Sequence, residues 1–366
     1  MSLRDLRIAK EKQGIHNFSA GPCILPNEVM EKAAESVVNL DGIGLSILEI
    51  SHRSKEFVEI IERARSLVRE TMNLPDNYEV LFLQGGASYL SILTAQNFLS
   101  KAGTGAYVNS GTWARNSMND AKVFGNIIEF STSENTQFNT YPKLDNIPSD
   151  LDYIHITSNN TIAGNQIKDF PKTDVPLICD MSSDIFSRDI DVSQFAMIYA
   201  GAQKNLGPAG ATLVIVDKNK LGQTDREIPR LMDLRNHIEK MSMLNTPPCF
   251  SIYVSLLNLE WMIKNGGVEE MKKRSIDRSS LLYKEIDENP LFDAHVKDLD
   301  SRSKMNICFT LKDESMNEDF LAACEKANIS GIKGHRSVGG FRASMYNAMS
   351  IDSTMALVKV MKTFKS

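Results

Sequence analysis

A lysine and an aspartate stand at the ends of apolar runs, where either could do chemistry. Lys204 lies in Ala200-Gly-Ala-Gln-Lys-Asn-Leu-Gly-Pro-Ala-Gly210, between Phe195-Ala-Met-Ile-Tyr199 and Thr212-Leu-Val-Ile-Val216. Both flanking runs read as buried strands, so the lysine sits on a tight connection close to the interior. An ammonium held there must be paired, neutralised or covalently used, and a desolvated lysine with a lowered pKa is the nucleophile that forms imines with carbonyl compounds. Asp180 ends a third apolar run, Val175-Pro-Leu-Ile-Cys-Asp180. The order strand, acid, strand, lysine suits pyridoxal-phosphate chemistry, in which an Asp keeps the pyridine nitrogen protonated while a Lys holds the aldehyde. Each residue also has a plainer reading: a solvated hairpin lysine, and a turn or helix-capping aspartate ahead of Ser182 and Ser183.

The elements around this pair must bring it to one place. Glu79-Val-Leu-Phe-Leu83 reads as a strand, Gln84-Gly-Gly-Ala-Ser88 as a tight turn and Tyr89 to Leu99 as a helix, an order that gathers free N–H groups and a helix dipole suited to a phosphate. Short strands are expected at Gly105–Val108, Ile127–Phe130 and Tyr153–Thr157. Trp113 lies just past a turn glycine, where it could stack on a ring or pack in the core; Thr161, after a strand end, could contact a ring oxygen or close a turn. Strands alternating with helices over residues 79 to 216 predict an α/β fold with a mostly parallel sheet, whose strand-end loops collect Ser88, Trp113, Thr161, Asp180 and Lys204.

Outside that region, helices are expected from near Pro26, over Phe57–Met72, Ser251–Lys264 and Val268–Asn289, and the charged stretch Asp217–Met243 also reads as helical. Strands are expected near Val296 and over Met305–Leu311. The expected organisation is an N-terminal segment 1–16, a large domain 17–258 and a small α/β domain 259–366. The loop Gly42–Ser54 holds Ile43, Leu45, Ile47 and Leu48 without a covering helix and ends near His52-Arg53; a second subunit would bury it and let Arg53 reach across an interface. Gly331-Ile-Lys-Gly-His-Arg-Ser-Val-Gly-Gly-Phe-Arg342 gathers Lys333, His335, Arg336 and Arg342 among four glycines, as an anion-binding loop would.

With 366 residues, 42% of them hydrophobic, and a net charge of -5, the chain has material for more than one core and no basic excess to attract nucleic acid. Five widely spaced cysteines with no Cys-x-x-Cys pair give no metal site and predict reduced thiols in a cytoplasmic protein. The mixed-charge start and the lack of a long apolar run predict neither export nor a membrane anchor. A nicotinamide dehydrogenase would need Gly-x-Gly-x-x-Gly after its first strand, and a desulfurase would need a cysteine in a basic, exposed setting; neither is found.

Several runs together resemble one family: Asn17-Phe-Ser-Ala-Gly-Pro22, Ser51-His-Arg-Ser-Lys55, Gln84-Gly-Gly-Ala-Ser88, Asn109-Ser-Gly-Thr-Trp113, Asn160-Thr161, Cys179-Asp180, Ala202-Gln-Lys-Asn-Leu-Gly-Pro-Ala-Gly210, Asn245-Thr-Pro-Pro248 and Gly334-His-Arg-Ser-Val-Gly-Gly-Phe-Arg-Ala-Ser344. Over essentially its whole length the chain is similar to the phosphoserine aminotransferase family, which are fold-type I, class V pyridoxal-phosphate enzymes. The resemblance implies a seven-stranded, mostly parallel sheet in a large cofactor domain, a smaller C-terminal domain and a homodimer with shared sites. It implies that Lys204 holds the cofactor aldehyde, Asp180 meets the pyridine nitrogen, Trp113 stacks on the ring and Thr161 meets its 3-oxygen. It assigns the cofactor phosphate to Ala87, Ser88 and Gln203, joined by Asn245 and Thr246 of the other subunit. Some relatives carry arginine where Ser88 stands. Arg342 is implied to take the substrate α-carboxylate, while His335, Arg336 and, across the interface, His52 and Arg53 receive the distal anion. The family moves the amino group of L-glutamate to 3-phosphohydroxypyruvate, giving O-phospho-L-serine and 2-oxoglutarate, and in some bacteria acts on 3-hydroxy-2-oxo-4-phosphooxybutanoate on the way to pyridoxine.

Overall fold

The structure is a computed structural model and describes residues 14–365. Its strands are β1 (His16–Asn17), β2 (Tyr78–Leu83), β3 (Thr104–Asn109), β4 (Asn126–Thr132), β5 (Tyr153–Thr157), β6 (Leu177–Asp180), β7 (Met197–Gly201), β8 (Thr212–Asp217), β9 (Phe292–Ala294), β10 (Asn306–Leu311), β11 (Ile329–Ser330) and β12 (Phe341–Ser344). A seven-stranded sheet runs in the order β2-β8-β7-β6-β5-β3-β4. Only β8 opposes its neighbours; every other pair is parallel. β5, β6, β7 and β8 are buried along their whole length, as strands covered by helices on both faces must be, and their near-continuous apolar sequences reflect that.

The two faces have separate cores. On one lies helix Lys55–Thr71, whose N-terminus is capped by the Ser54 hydroxyl accepting from the Phe57 N–H and whose Phe57, Ile61, Ala64, Leu67 and Val68 point inward. Helix Cys249–Lys264 packs beside it, apolar on nearly every side because protein surrounds it. Helix Gly86–Phe98 covers the other face with Leu90, Leu93 and Phe98. Burying one such leucine contributes about 1.5–3 kcal/mol.

A third core fills the C-terminal unit, where helices Gly267–Glu288 and Ile351–Thr363 pack together beside a three-stranded sheet β12-β10-β9. Phe18 is fully buried there, after β1 pairs in parallel with β11. The first described residues are therefore part of the small unit's packing. A division at residue 259 would cut helix Cys249–Lys264, whose Leu259 and Met262 belong to the large core. Of the expected N-terminal segment 1–16, residues 1–13 lie outside the described residues.

Three local expectations need correction. Asp217–Met243 is not a helical stretch: it holds one 3-10 turn, Lys218–Lys220, and the helix Leu234–Glu239. Gly222 takes a left-handed φ of +73°, Pro229 lacks an N–H, and Arg226 is spent on the Leu99 and Phe124 carbonyls rather than on a local helix. The strand expected near Val296 is Phe292–Ala294, paired with β10. The helix after β2 starts at Gly86, inside the run read as a turn.

Candidate active site

Lys204 follows β7 in a turn closed by the Ala202 carbonyl, which accepts from the Leu206 N–H at 3.2 Å and the Gly207 N–H at 2.7 Å. Gly207 is needed there, because a Cβ would come within 2.4 Å of the Ser255 hydroxyl on the helix beneath. Asp180 closes β6, and the parallel register sets it opposite Thr157 of β5 and Tyr199 of β7. Both residues line one cavity of about 460 Å³ at the C-terminal ends of the parallel strands.

Burial dominates the electrostatics of the pair. It pushes the Lys204 ammonium below its ordinary pKa, opposed first by the Asp180 carboxylate, while Arg342 pushes it further down. Burial raises Asp180 in turn, opposed by Lys204 and by hydrogen bonds from Ser182. The Ser182 hydroxyl and N–H both donate to Asp180 Oδ1, at 2.6 and 2.9 Å. A lysine whose pKa is lowered by burial, close to an acid whose pKa is raised by it, is an arrangement that serves covalent and proton-transfer chemistry.

Helix Gly86–Phe98 aims its first N–H groups at the same space, with Gly85, Gly86, Ala87 and Ser88 on the wall. Gly85 has φ +97°, and a Cβ on it would lie 2.7 Å from the Tyr89 side chain, so the sharp turn into the helix requires glycine. Trp113 sits in the first turn of helix Thr112–Ala121, half exposed to the cavity, and its indole N–H donates to the Thr161 hydroxyl at 3.1 Å. Arg342 enters from β12 of the small unit and donates to the Thr161 carbonyl at 2.9 Å; its Nε is buried without a partner. Gln203 and His335 line the same cavity.

The structure thus gathers Lys204, Asp180, Ala87, Ser88, Trp113, Thr161, Gln203, His335 and Arg342 around one cavity. It does not bring Arg336, His52, Arg53, Asn245 or Thr246 to it within one chain. Arg336 is exposed on the glycine loop, and Arg53 is exposed just ahead of helix Lys55–Thr71. Asn245 lines a neighbouring cavity of about 300 Å³, and the Thr246 carbonyl accepts from Gln84 Nε2. Of the apolar loop, Ile47 is buried in the large core by its own chain, whereas Ile43, Leu45 and Leu48 are 44, 50 and 64% exposed.

Ser182, Asn116, Ser117 and Asp120 also line the cavity and were not singled out from the sequence. The signal for Ser182 was there: a serine two residues after an aspartate at a strand end returns its hydroxyl to that carboxylate. Asn116, Ser117 and Asp120 follow Trp113 at helical spacing, which sets them on its face. The five cysteines offer no reactive thiol: burial raises Cys23 and Cys308 to about 12, and Cys249, Cys179 and Cys324 upward too. Among the described residues no helix is long and apolar enough to cross a membrane.

The Aminotransferase class-V family matches residues 15–357. The chain is 51% identical over 352 residues to the phosphoserine aminotransferase of Flavobacterium johnsoniae, covering 96% of this chain and 99% of that one. The Bacteroides thetaiotaomicron phosphoserine aminotransferase is 48% identical, with coverage of 96% and 98%. Among solved structures, phosphoserine aminotransferase from Bacillus circulans subsp. alkalophilus superposes with a TM-score of 0.92 at 41% identity, covering 95% of this chain and 97% of that one. The PLP-bound phosphoserine aminotransferase from Trichomonas vaginalis gives 0.90 at 33%, with 95% and 99% covered. With a family match over nearly the whole chain and relatives this similar along their full length, the chain belongs to the class-V aminotransferases and, within them, to the phosphoserine aminotransferases.

Proposed function

We propose that the protein transfers the amino group of L-glutamate to 3-phosphohydroxypyruvate, giving O-phospho-L-serine and 2-oxoglutarate, with pyridoxal 5'-phosphate held in the cavity between β6, β7 and helix Gly86–Phe98. The observation that carries this reading is the meeting of Lys204 and Asp180, each with its ionisation shifted by burial, in one cavity bounded by a helix N-terminus and by Arg342. The residues fit the cofactor part by part. The N–H groups of Gly86, Ala87 and Ser88, with Gln203, suit the phosphate; Trp113 offers a ring face, Thr161 a hydroxyl, Asp180 a carboxylate and Lys204 an amine.

When bound, the cofactor supplies an aldehyde that takes up the amino group and a pyridinium ring that accepts the electron pair of the substrate α-carbon. The Lys204 amine would hold the cofactor at its aldehyde carbon and, when not so engaged, would move the proton at the substrate α-carbon. Asp180 holds a proton at the ring nitrogen. Arg342 binds the α-carboxylate through a planar fork that matches two oxygens, and His335 and Arg336 meet the distal anion. In a homodimer, formed through the exposed Ile43, Leu45 and Leu48, Asn245 and Thr246 would reach the partner's cofactor phosphate, and His52 and Arg53 the partner's substrate. His52 Nε2 is buried without a partner in the single chain, which supports a role completed by a second copy. The acidic balance, the buried neutral thiols and the absence of a membrane-crossing helix among the described residues support a cytoplasmic enzyme.

The absorption spectrum tests the reading. Protein loaded with pyridoxal 5'-phosphate should show a visible imine band that shifts when glutamate is added and returns with 3-phosphohydroxypyruvate. A spectrum indifferent to glutamate would overturn it.

A further inference from the structure

We propose that Ser182 is the positioning residue of the acid at the floor of the site: its hydroxyl engages one oxygen of Asp180 and leaves the other to meet the cofactor ring. The proposal rests on the reading of Asp180 as the ring-nitrogen partner.

Ser182 lies two residues beyond Asp180, is 4% exposed and lines the cavity. Both its N–H and its O–H donate to Oδ1, at 2.9 and 2.6 Å. Its oxygen in turn accepts from the Gly201 N–H at 3.0 Å. β6 and β7 pair only as far as Asp180 and Tyr199, so the Gly201 N–H lies beyond the ladder and Ser182 takes it up. With that donor filling a lone pair, the hydroxyl proton is left for the carboxylate, and the direction of the chain Gly201, Ser182, Asp180 is fixed. Gly201 is three residues before Lys204. One hydroxyl therefore joins the strand that delivers the lysine to the strand that delivers the acid.

The surroundings make this hydroxyl matter. Burial drives Asp180 toward its neutral form, and Asp184 adds to that; Lys204 and the two Ser182 donors oppose it. Asp184 is itself paired with Arg188 at 3.0 Å. Cys179 on β6 and Tyr199 on β7 are held neutral by burial, which raises both well above their ordinary values, and His155 on β5, behind Tyr199, is pushed down to about 3. Arg342 and Cys23 act on the Lys204 side. Removing the hydroxyl leaves Lys204 and one backbone donor to sustain the carboxylate, so it should ionise only at higher pH.

Binding of pyridoxal 5'-phosphate to cofactor-free protein, measured across pH, is the test. Ser182→Ala should bind about tenfold or more weakly near neutrality, with the acid limb of the binding profile moved to higher pH, and Ser182→Thr should move it back. Should Ser182→Ala not fold, Ser182→Cys, which keeps the side-chain shape at a slightly larger size but donates only weakly, should show the same displacement. A limb that stays at its wild-type position overturns the proposal, even if affinity falls, because a merely structural serine would weaken binding at every pH alike. Asp180→Asn separates the two levels. If it binds the cofactor as the wild type does, the ring-nitrogen reading falls and this one with it; if it loses binding and the acid limb while Ser182→Ala keeps the wild-type profile, only the role of Ser182 is lost.

Discussion

The floor of the cavity and the loops proposed to meet the distal anion are built differently. Asp180, Thr161 and Ser182 are buried, fixed at strand ends or strand-end loops, and partnered at 2.6 to 3.1 Å. His335, Arg336, His52 and Arg53 sit on loops or turns, half-buried or exposed. The His335–Gly339 turn is held by its own short contacts, the Val338 and Gly339 N–H groups donating to the His335 carbonyl. Strand register places the floor to within a residue, whereas the outer residues depend on loop conformation and, under the proposed function, on a second copy of the chain. Under the proposed function, chemistry common to all substrates would fall to the rigid part, and discrimination among them to the adaptable part.

The largest effect that could break this division is at Lys204. Lys204→Ala should lose on the order of 10²–10⁴-fold in kcat from proton transfer alone, whatever the substrate. Steady-state assays showing wild-type turnover would remove Lys204 from the chemistry. The next effect sharpens the contrast. Arg342→Ala should lower kcat/KM on the order of ten- to a hundredfold for every substrate, while Arg336→Ala should do so for the phosphorylated one and spare an unphosphorylated amino acid such as alanine. Equal losses for both in Arg336→Ala would leave the basic loop without a role in phosphate recognition.

A smaller change tests whether those loops need two chains. Leu48 is 64% exposed in the single chain, and Leu48→Asp should weaken self-association by roughly ten- to a hundredfold, with activity falling in step as the protein is diluted. Sedimentation that finds a fully active monomer would end the shared-site reading. The smallest expected effect lies beneath the floor, at His155, whose Nε2 shares a hydrogen bond of 2.8 Å with the Tyr199 hydroxyl while its Nδ1 has no partner. Unfolded, this histidine takes up a proton near its ordinary 6.5; folded, burial delays that to about 3. Its contribution to stability is therefore complete above pH 6.5 and falls as the pH is lowered, by up to about 1.4 kcal/mol per unit. Denaturant titrations of His155→Gln should show a flatter loss below that pH; an unchanged slope would show that other groups govern it.

Much of the floor was legible because burial on both faces writes itself into composition. The apolar runs ending at Asp180 and flanking Lys204 mark strands whatever their partners, and residues at the ends of parallel strands meet by topology. The Asp217–Met243 stretch misled because charge at helical spacing describes a surface, not a hydrogen-bond pattern, and side chains such as Arg226 found carbonyls far away in sequence. Ile47 was read with its exposed neighbours since nothing local reveals that the large core reaches it. Arg342 was legible as a cation of the second domain's glycine-rich loop but not as a strand residue, because its pairing opposite Cys308 is set by the small sheet.

The first strand has a bearing on how the molecule is made. His16 Nδ1 shares a hydrogen bond with the hydroxyl of Ser353, 337 residues further along, and Phe18 belongs to the same buried core as Leu357, Val358 and Met361 of the last helix. All seven strands of the large sheet have been translated once Asp217 is out, yet Phe18 stays without its pocket until the last helix leaves the ribosome. At about 5–20 residues per second that wait is on the order of tens of seconds. The earliest fully buried apolar side chain of the described protein is thus among the last to be enclosed, and a nascent chain spends most of its synthesis with that segment available to chaperones.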